Sequence, residues 1–266
     1  MTRNDPIREF NQSLRSNNVS AVQDILVHHP ELKAKINEPI CAFDSPPIVS
    51  ARSPEMLDVL LAAGADLNAK SSWWAGGFGL LHTAEPELAA YALSRGAVVD
   101  IHAAARLGFA ERLCELVEAD GESVHARGGD GQTPLHFART VEIAACLLDR
   151  GAAIDARDVD HESAPAQYMI DDRQDVARYL VRRGCKTDVL MAAALGDIDL
   201  ALQHLDTDPA SVRTRANEEF FPKMSPNAAG TIYQWKLGWH LSPHRVALKY
   251  GHENVYRLFL DRSPPR

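Results

Sequence analysis

The sequence predicts an all-α repeat fold, a solenoid of about eight helix pairs at about 33 residues each. Two observations carry that prediction. Four segments end alike, at residues 56–70, 88–100, 143–158 and 176–188: an amphipathic helix, a glycine with a small neighbour, then a short extended piece. In each, apolar residues recur at three- and four-residue spacing, the stripe of a helix with one buried face. A longer self-similarity runs at 88 residues, where Arg95-Gly-Ala-Val-Val-Asp-Ile-His-Ala-Ala-Ala-Arg-Leu-Gly matches Arg183-Gly-Cys-Lys-Thr-Asp-Val-Leu-Met-Ala-Ala-Ala-Leu-Gly. One such helix pair cannot bury its own apolar face, so stacked neighbours must complete the core.

Taken in order, residues 5–37 read as a degenerate, polar helix pair, Pro6–Ser16 and Ser20–His28, suited to capping the stack. Gly64, Gly96, Gly151 and Gly184 then close the four repeated helices where a left-handed stop is needed. Between helix pairs, connecting segments are expected at about 36–45, 68–79, 126–132, 156–163 and 213–241. Before the third copy stands Asp130-Gly-Gln-Thr-Pro-Leu-His-Phe-Ala, in which Thr133 can cap a helix and Pro134 fits its first turn. Residues 242–266 form a last, capping repeat with the polar tail Ser263-Pro-Pro-Arg.

These motifs resemble the ankyrin repeat, whose pattern is D-G-x-T-P-L-H-x-A, then G-H-x-x-V-x-x-L-L, then G-A-D-x-N-A. Residues 130–158 carry most of it, with looser copies at Leu80-Leu-His-Thr-Ala and from Ser242 to Val255. The resemblance implies a single domain over 1–266: a cap at 1–37, repeats at 38–212, a long aromatic finger insertion at 213–241 and a closing repeat at 242–266. It also implies β-hairpin fingers whose tips line a concave binding surface, and a structural role for His82 and His136 within their own repeat turns. It says little about what is bound.

Function is sought where the sequence leaves its own repeat. Two fingers are missing, before Ile101 and before Val189, so the helix starts at His102 and Met191 are expected to be less covered than usual. The finger before Leu80 holds Trp73, Trp74 and Phe78 in a glycine-rich loop, and two adjacent tryptophans do not both fit a core. The finger at 158–163 crowds Asp158, Asp160, His161 and Glu162 together, with Gln167 at the family's histidine position. That cluster suits recognition of a basic group, or acid/base work by His161. The insertion between Ala216 and Leu241 carries Phe220, Phe221, Tyr233, Trp235, Trp239 and His240, too aromatic for a disordered loop.

Composition removes other classes. The chain has 28 Lys+Arg against 36 Asp+Glu, a net charge of −8, which argues against nucleic acid and anionic membrane as partners. Its start, Met1-Thr-Arg-Asn-Asp-Pro-Ile, lacks the apolar core of a secretion signal, and a soluble, cytoplasmic protein is expected. Cys41, Cys114, Cys146 and Cys185 stand 73, 32 and 39 residues apart with no CxxC pair, so neither zinc nor a disulfide framework is expected. Cys114 and Cys146 read as small buried hydrophobes. Nucleotide-loop, metalloprotease and nucleophile-elbow patterns are absent, and no cofactor or metal is expected.

The leading expectation is a protein- or peptide-binding module. Trp73, Trp74, Phe78, His102, His161, Tyr233, Trp235, Trp239 and His240 would supply its contacts, and Asp130, Asp158, Asp160 and Glu162 an acidic centre for a basic partner. The alternative is a small-molecule enzyme (a hydrolase, lyase or isomerase) in which His102 or His161 acts as base with Asp160 or Glu162 beside it.

Overall fold

Short helices that cannot bury themselves have to be held in register by their neighbours, and hydrogen bonds at one-repeat spacing do that here. The computed structural model describes residues 5–262. Asn37 accepts the Asp66 N–H at 2.7 Å, Asn68 accepts that of Val98 at 2.8 Å, and Asp155 accepts that of Lys186 at 2.8 Å. The partners are 29, 30 and 31 residues apart, so each bond ties one helix end to its equivalent in the next repeat.

The described residues form two compact units, one running up to Leu107 with Arg127–Gly131, the other of Gly108–Ala126 with Gln132 onward. In the first, helices Pro6–Arg15 and Val19–His28 form the expected opening pair. Asp5 and Asn18 cap them by accepting the N–H groups of Ile7 and Ala21. Phe10, Leu14, Val22, Met56, Leu57 and Leu60 are fully buried between this pair and helix Pro54–Ala62. Helices Pro86–Ser94 and Ile101–Leu107 continue the unit. Gly64 and Gly96 end their helices at φ +93° and +96° with nothing within 4 Å of a Cβ, so backbone conformation alone requires glycine there.

The second unit stacks helices Ala110–Ala119, Val141–Asp149, Gln174–Arg182 and Ile198–Thr207 behind the shorter turns Pro134–Phe137, Pro165–Met169 and Val189–Leu195. Helices Pro243–Lys249 and Glu253–Arg262 follow. The insertion leaves and rejoins the stack at one point: Ala216 accepts the His240 N–H at 3.1 Å and donates to the Leu241 carbonyl at 3.3 Å. Ends this close make it a compact surface loop, with one short helix, Tyr233–Lys236.

Three expectations need correction. The fingers are not β-ladders: the described residues hold no strand, only single antiparallel bridges of Cys41 with Ser45 and Lys70 with Gly79. Side chains take over the closing bonds, as where the Ser71 hydroxyl accepts the Phe78 N–H at 2.9 Å. The helix starts beside the two missing fingers are not uncovered either, since His102 is 4% exposed and Met191 fully buried. Backbone at Gly128 lies so close over the His102 imidazole that a Cβ there would meet the ring at 2.8 Å. The insertion covers the second start, through Tyr233. Finally, Thr133 makes no side-chain cap bond; its own N–H is instead accepted by His136.

Residues 1–4 and the tail 263–266, read above as a polar start and a cap, lie outside the described residues. No helix among the described residues is long and apolar enough to cross a membrane.

Gly129 lies over Phe78, whose ring stands 2.1 Å from where a Cβ would be. Gly129→Ala is expected to destabilise by about 1–3 kcal/mol through overpacking. Gly64→Ala is expected to cost about 1–2 kcal/mol from backbone strain alone. Urea denaturation of both variants checks this, and Phe78→Ala in the Gly129→Ala background should recover part of the overpacking loss.

Candidate functional site

One device organises the inner turns: a side chain three residues into the turn reaches back to accept the backbone N–H that opens it. His136 Nδ1 accepts from Thr133 at 3.0 Å, His82 Nδ1 from Gly79 at 3.1 Å, and Gln167 Oε1 from Ala164 at 2.8 Å. An imidazole that accepts at Nδ1 carries its proton on Nε2. His136 therefore donates to the Ser163 carbonyl at 3.1 Å, and His82 to both Asp100 oxygens at 3.0 Å. Both histidines act within the scaffold, as the resemblance implies.

In the first unit Asp100 collects three donors: His82, the Ala103 N–H at 2.8 Å, and Lys70 Nζ at 2.7 Å. Burial pushes this carboxyl up, but its hydrogen bonds from His82 and then Lys70 outweigh it and hold Asp100 well below the usual carboxylate range. Ligand atoms of His82, Asp100 and His102 lie within 4.8 Å of one another. The chemistry is poor for a cation: the Gly79 N–H keeps the proton on His82 Nε2, and Lys70 already supplies positive charge. Trp73 and Trp74 divide as the sequence suggests. Trp73 packs edge-on against Phe43 at 5.2 Å with its indole nitrogen buried and unpartnered, while Trp74 is 43% exposed. Phe78 and Asp130 are half-buried.

In the second unit the acidic cluster is not a solvated tip. Asp158 and Asp160 are buried, His161 and Glu162 half-buried. The Asp158 carboxylate closes its own turn, accepting from the Ser163 N–H at 2.7 Å, the His161 N–H at 2.9 Å and the Tyr168 hydroxyl at 2.8 Å. Burial still pushes its carboxyl up against those bonds. Glu162 grips the insertion with both oxygens, taking the consecutive N–H groups of Met224 and Ser225 at 2.7 Å each. It does so at φ +49°, a left-handed backbone that a glutamate rarely adopts.

The grip is continued along the turn. The Asp160 carbonyl accepts from Ala229 at 2.7 Å, the Gly230 carbonyl accepts from His161 Nδ1 at 3.0 Å, and the Ser163 hydroxyl accepts from Ile232 at 3.0 Å. Tyr233 is thereby driven into the core, fully buried, where its hydroxyl donates to Asp188 at 2.9 Å. Asp188 also accepts the N–H groups of Leu190 and Met191, both at 2.9 Å, and so caps helix Val189–Leu195. Burial raises both the Tyr233 phenol and the Asp188 carboxyl, so the phenol keeps its proton and donates it. The exposed side of the insertion carries Trp235 and Trp239, 62% and 55% exposed and ring to ring at 6.1 Å, with His240 exposed beside them and the Trp235 ring edge-on to His161 at 6.2 Å. A cavity of about 430 Å³ lies under the insertion. Its walls mix Arg157, Lys186 and Lys223 with Asp155, Glu162 and Asp188.

A family model described as the ankyrin repeat matches residues 130–159. Residues 130–159 therefore form an ankyrin repeat. No curated protein matches it.

The ankyrin pattern explains why Asp100, Asp188 and Ser163 escaped the sequence reading. All three stand at turn positions where the family pattern is broken or absent. A signal for two of them was present: Asp100 and Asp188 occupy the same place in the 88-residue self-similarity, each just ahead of an apolar helix. That is where an aspartate caps a helix that has lost its T-P opening. The predicted binding residues therefore separate into exposed ones (Trp74, Trp235, Trp239, His240) and ones built into the scaffold (His102, Asp158, Asp160, Tyr233).

Two tests follow from this geometry. Glu162→Ala should free Met224 and Ser225 and cost about 1–3 kcal/mol. Limited trypsin digestion should then cut faster at Lys223 than in the wild type, with the rest of the chain unchanged. Asp100→Asn should cost a similar amount at neutral pH. A folded carboxyl held below its unfolded value, near 3.9, stabilises above that value and loses the contribution as pH falls. The gap between wild type and Asp100→Asn, read by thermal melting, should accordingly narrow below about pH 4.

Proposed function

We propose that this ankyrin-repeat protein binds a protein or peptide partner chiefly through the exposed face of its insertion. The repeat itself suggests a protein-interaction module. The observation that carries the finer reading is the pair Trp235 and Trp239, more than half exposed and in contact with each other. Large aromatic rings left in water on a firmly tethered loop are what interfaces use as anchors, because they bury much area and lose little freedom. The loop is anchored by the Glu162 grip and by Tyr233, so little ordering is left for binding to supply.

The partner is a basic segment. A net charge of −8 favours approach of Lys- and Arg-bearing chains, and exposed indole faces accept cations. Trp74, with Phe43 60% exposed near it, forms a smaller aromatic patch of the same kind in the first unit. The acidic cluster at 158–163 is left out of the contact surface, since the Asp158 carboxylate holds the turn and the Glu162 carboxylate holds the insertion. Of the groups the enzyme reading needs, Glu162 holds the insertion and His102 lies under backbone, while the Asp160 carboxylate faces His161 Nε2 at 3.8 Å.

Selection from a displayed peptide library tests the proposal. Peptides retained by the wild type should be enriched in Lys and Arg and should bind more weakly as salt is raised. Trp235→Ala/Trp239→Ala should lower their affinity by more than about tenfold while thermal melting stays unchanged. Equal affinity for the double variant would sink the assignment to this face.

A further inference from the structure

Cys114 and Cys146 are 32 residues apart, close to one repeat. They lie on two neighbouring helices, Ala110–Ala119 and Val141–Asp149. Neither is the buried hydrophobe the sequence suggests: both are half-buried, and their sulfur atoms face each other at 3.1 Å. Side chains that merely pack sit about 3.5–4.0 Å apart. A disulfide needs about 2.05 Å, so closure requires about 1 Å of approach, within reach of small rotations at two side chains.

The surroundings favour the reaction at this pair over the other two cysteines. Arg150 Nη1 lies 3.1 Å from the Cys146 sulfur, a cation beside the atom that must carry negative charge to react. Glu118, 3.8 Å from Arg150, and Asp149 are the acidic groups nearby. Cys41 instead donates to the Asn11 side chain at 2.9 Å, and Cys185 is buried. Among the described residues, no second sulfur faces either of them.

We propose that Cys114 and Cys146 are a modification site, a dithiol that a peroxide converts to an intramolecular disulfide. One sulfur attacks the peroxide, becoming a sulfenic acid as the O–O bond breaks and water leaves. The second sulfur attacks the first, the S–S bond forms, and the hydroxyl departs as a second water with the remaining thiol proton. Two electrons pass to one peroxide per chain. Burial, and then the Cys114 thiol, hold the Cys146 thiol up at about 11, so the pair rests as a dithiol until an oxidant persists.

The test is oxidation of the full-length wild-type chain with hydrogen peroxide, followed by alkylation under denaturing conditions and digestion without reductant. Two of the four cysteines should escape alkylation, the intact mass should fall by two hydrogens, and one linked peptide pair should join Cys114 to Cys146. Cys114→Ser and Cys146→Ser should each abolish the linkage. The proposal is overturned by four alkylated cysteines, by sulfinic acid without a linkage, by a bond involving Cys41 or Cys185, or by linkage between two chains.

Discussion

The rest of this structure depends on one constraint: an amphipathic helix pair of about 30 residues cannot exclude water from its own apolar face. Its neighbour must lie against it with the register kept, and polar groups at one-repeat spacing keep it. Asn37, Asn68 and Asp155 reach forward to the next helix end in that way. The Tyr91 hydroxyl reaches back 33 residues to Asp58 at 2.6 Å, and Arg183 reaches back 34 to Asp149 at 3.0 Å. The sulfurs of Cys114 and Cys146, on neighbouring helices, also come to face each other. Stacking thus does more than bury hydrophobic area. It brings equivalent positions together, so any residue type that recurs at that interval meets its counterpart.

Where the repeat loses a finger, the chain replaces what the finger would have covered, and it does so differently in the two places. Before Ile101, Asp100 caps the helix and glycine backbone at 128 lies directly on the imidazole of His102. Before Val189, Asp188 caps the helix and the insertion brings in a whole tyrosine. Each solution leaves a carboxylate in a partly or wholly dry setting, with opposite results. Asp100 meets an imidazole and an ammonium and stays ionised far below the usual range. Asp188 meets backbone N–H groups and a phenol, which do not offset the loss of water, and its affinity for a proton rises.

The acidic turn at 158–163 and the aromatic insertion are two halves of one structural feature. Read separately, the turn looks like a charged recognition site and the insertion like a lid. Together, the turn supplies most of the acceptors and the insertion most of the donors, from Met224 to Ile232, with His161 donating back to Gly230. The exposed surface that results is aromatic, at Trp235 and Trp239, with the charge folded underneath it. A partner would meet the rings first and feel the carboxylates only through the overall field.

The sequence by itself determined the helical repeat, the opening helix pair and the glycine stops, and its resemblance to the ankyrin pattern implied the inner-turn role of His82 and His136. These are local consequences: apolar period, left-handed φ and a hydrogen bond spanning three residues are all written within one repeat. It also marked both departures from the pattern. Only the tertiary structure decided that Asp158 and Asp160 are buried, that Tyr233 is core while Trp235 two residues on is surface, and that His102 is covered. Those outcomes depend on which distant segment comes to rest on each side chain. Glu162 and Met224 are 62 residues apart, and no local propensity specifies a hydrogen bond across that separation.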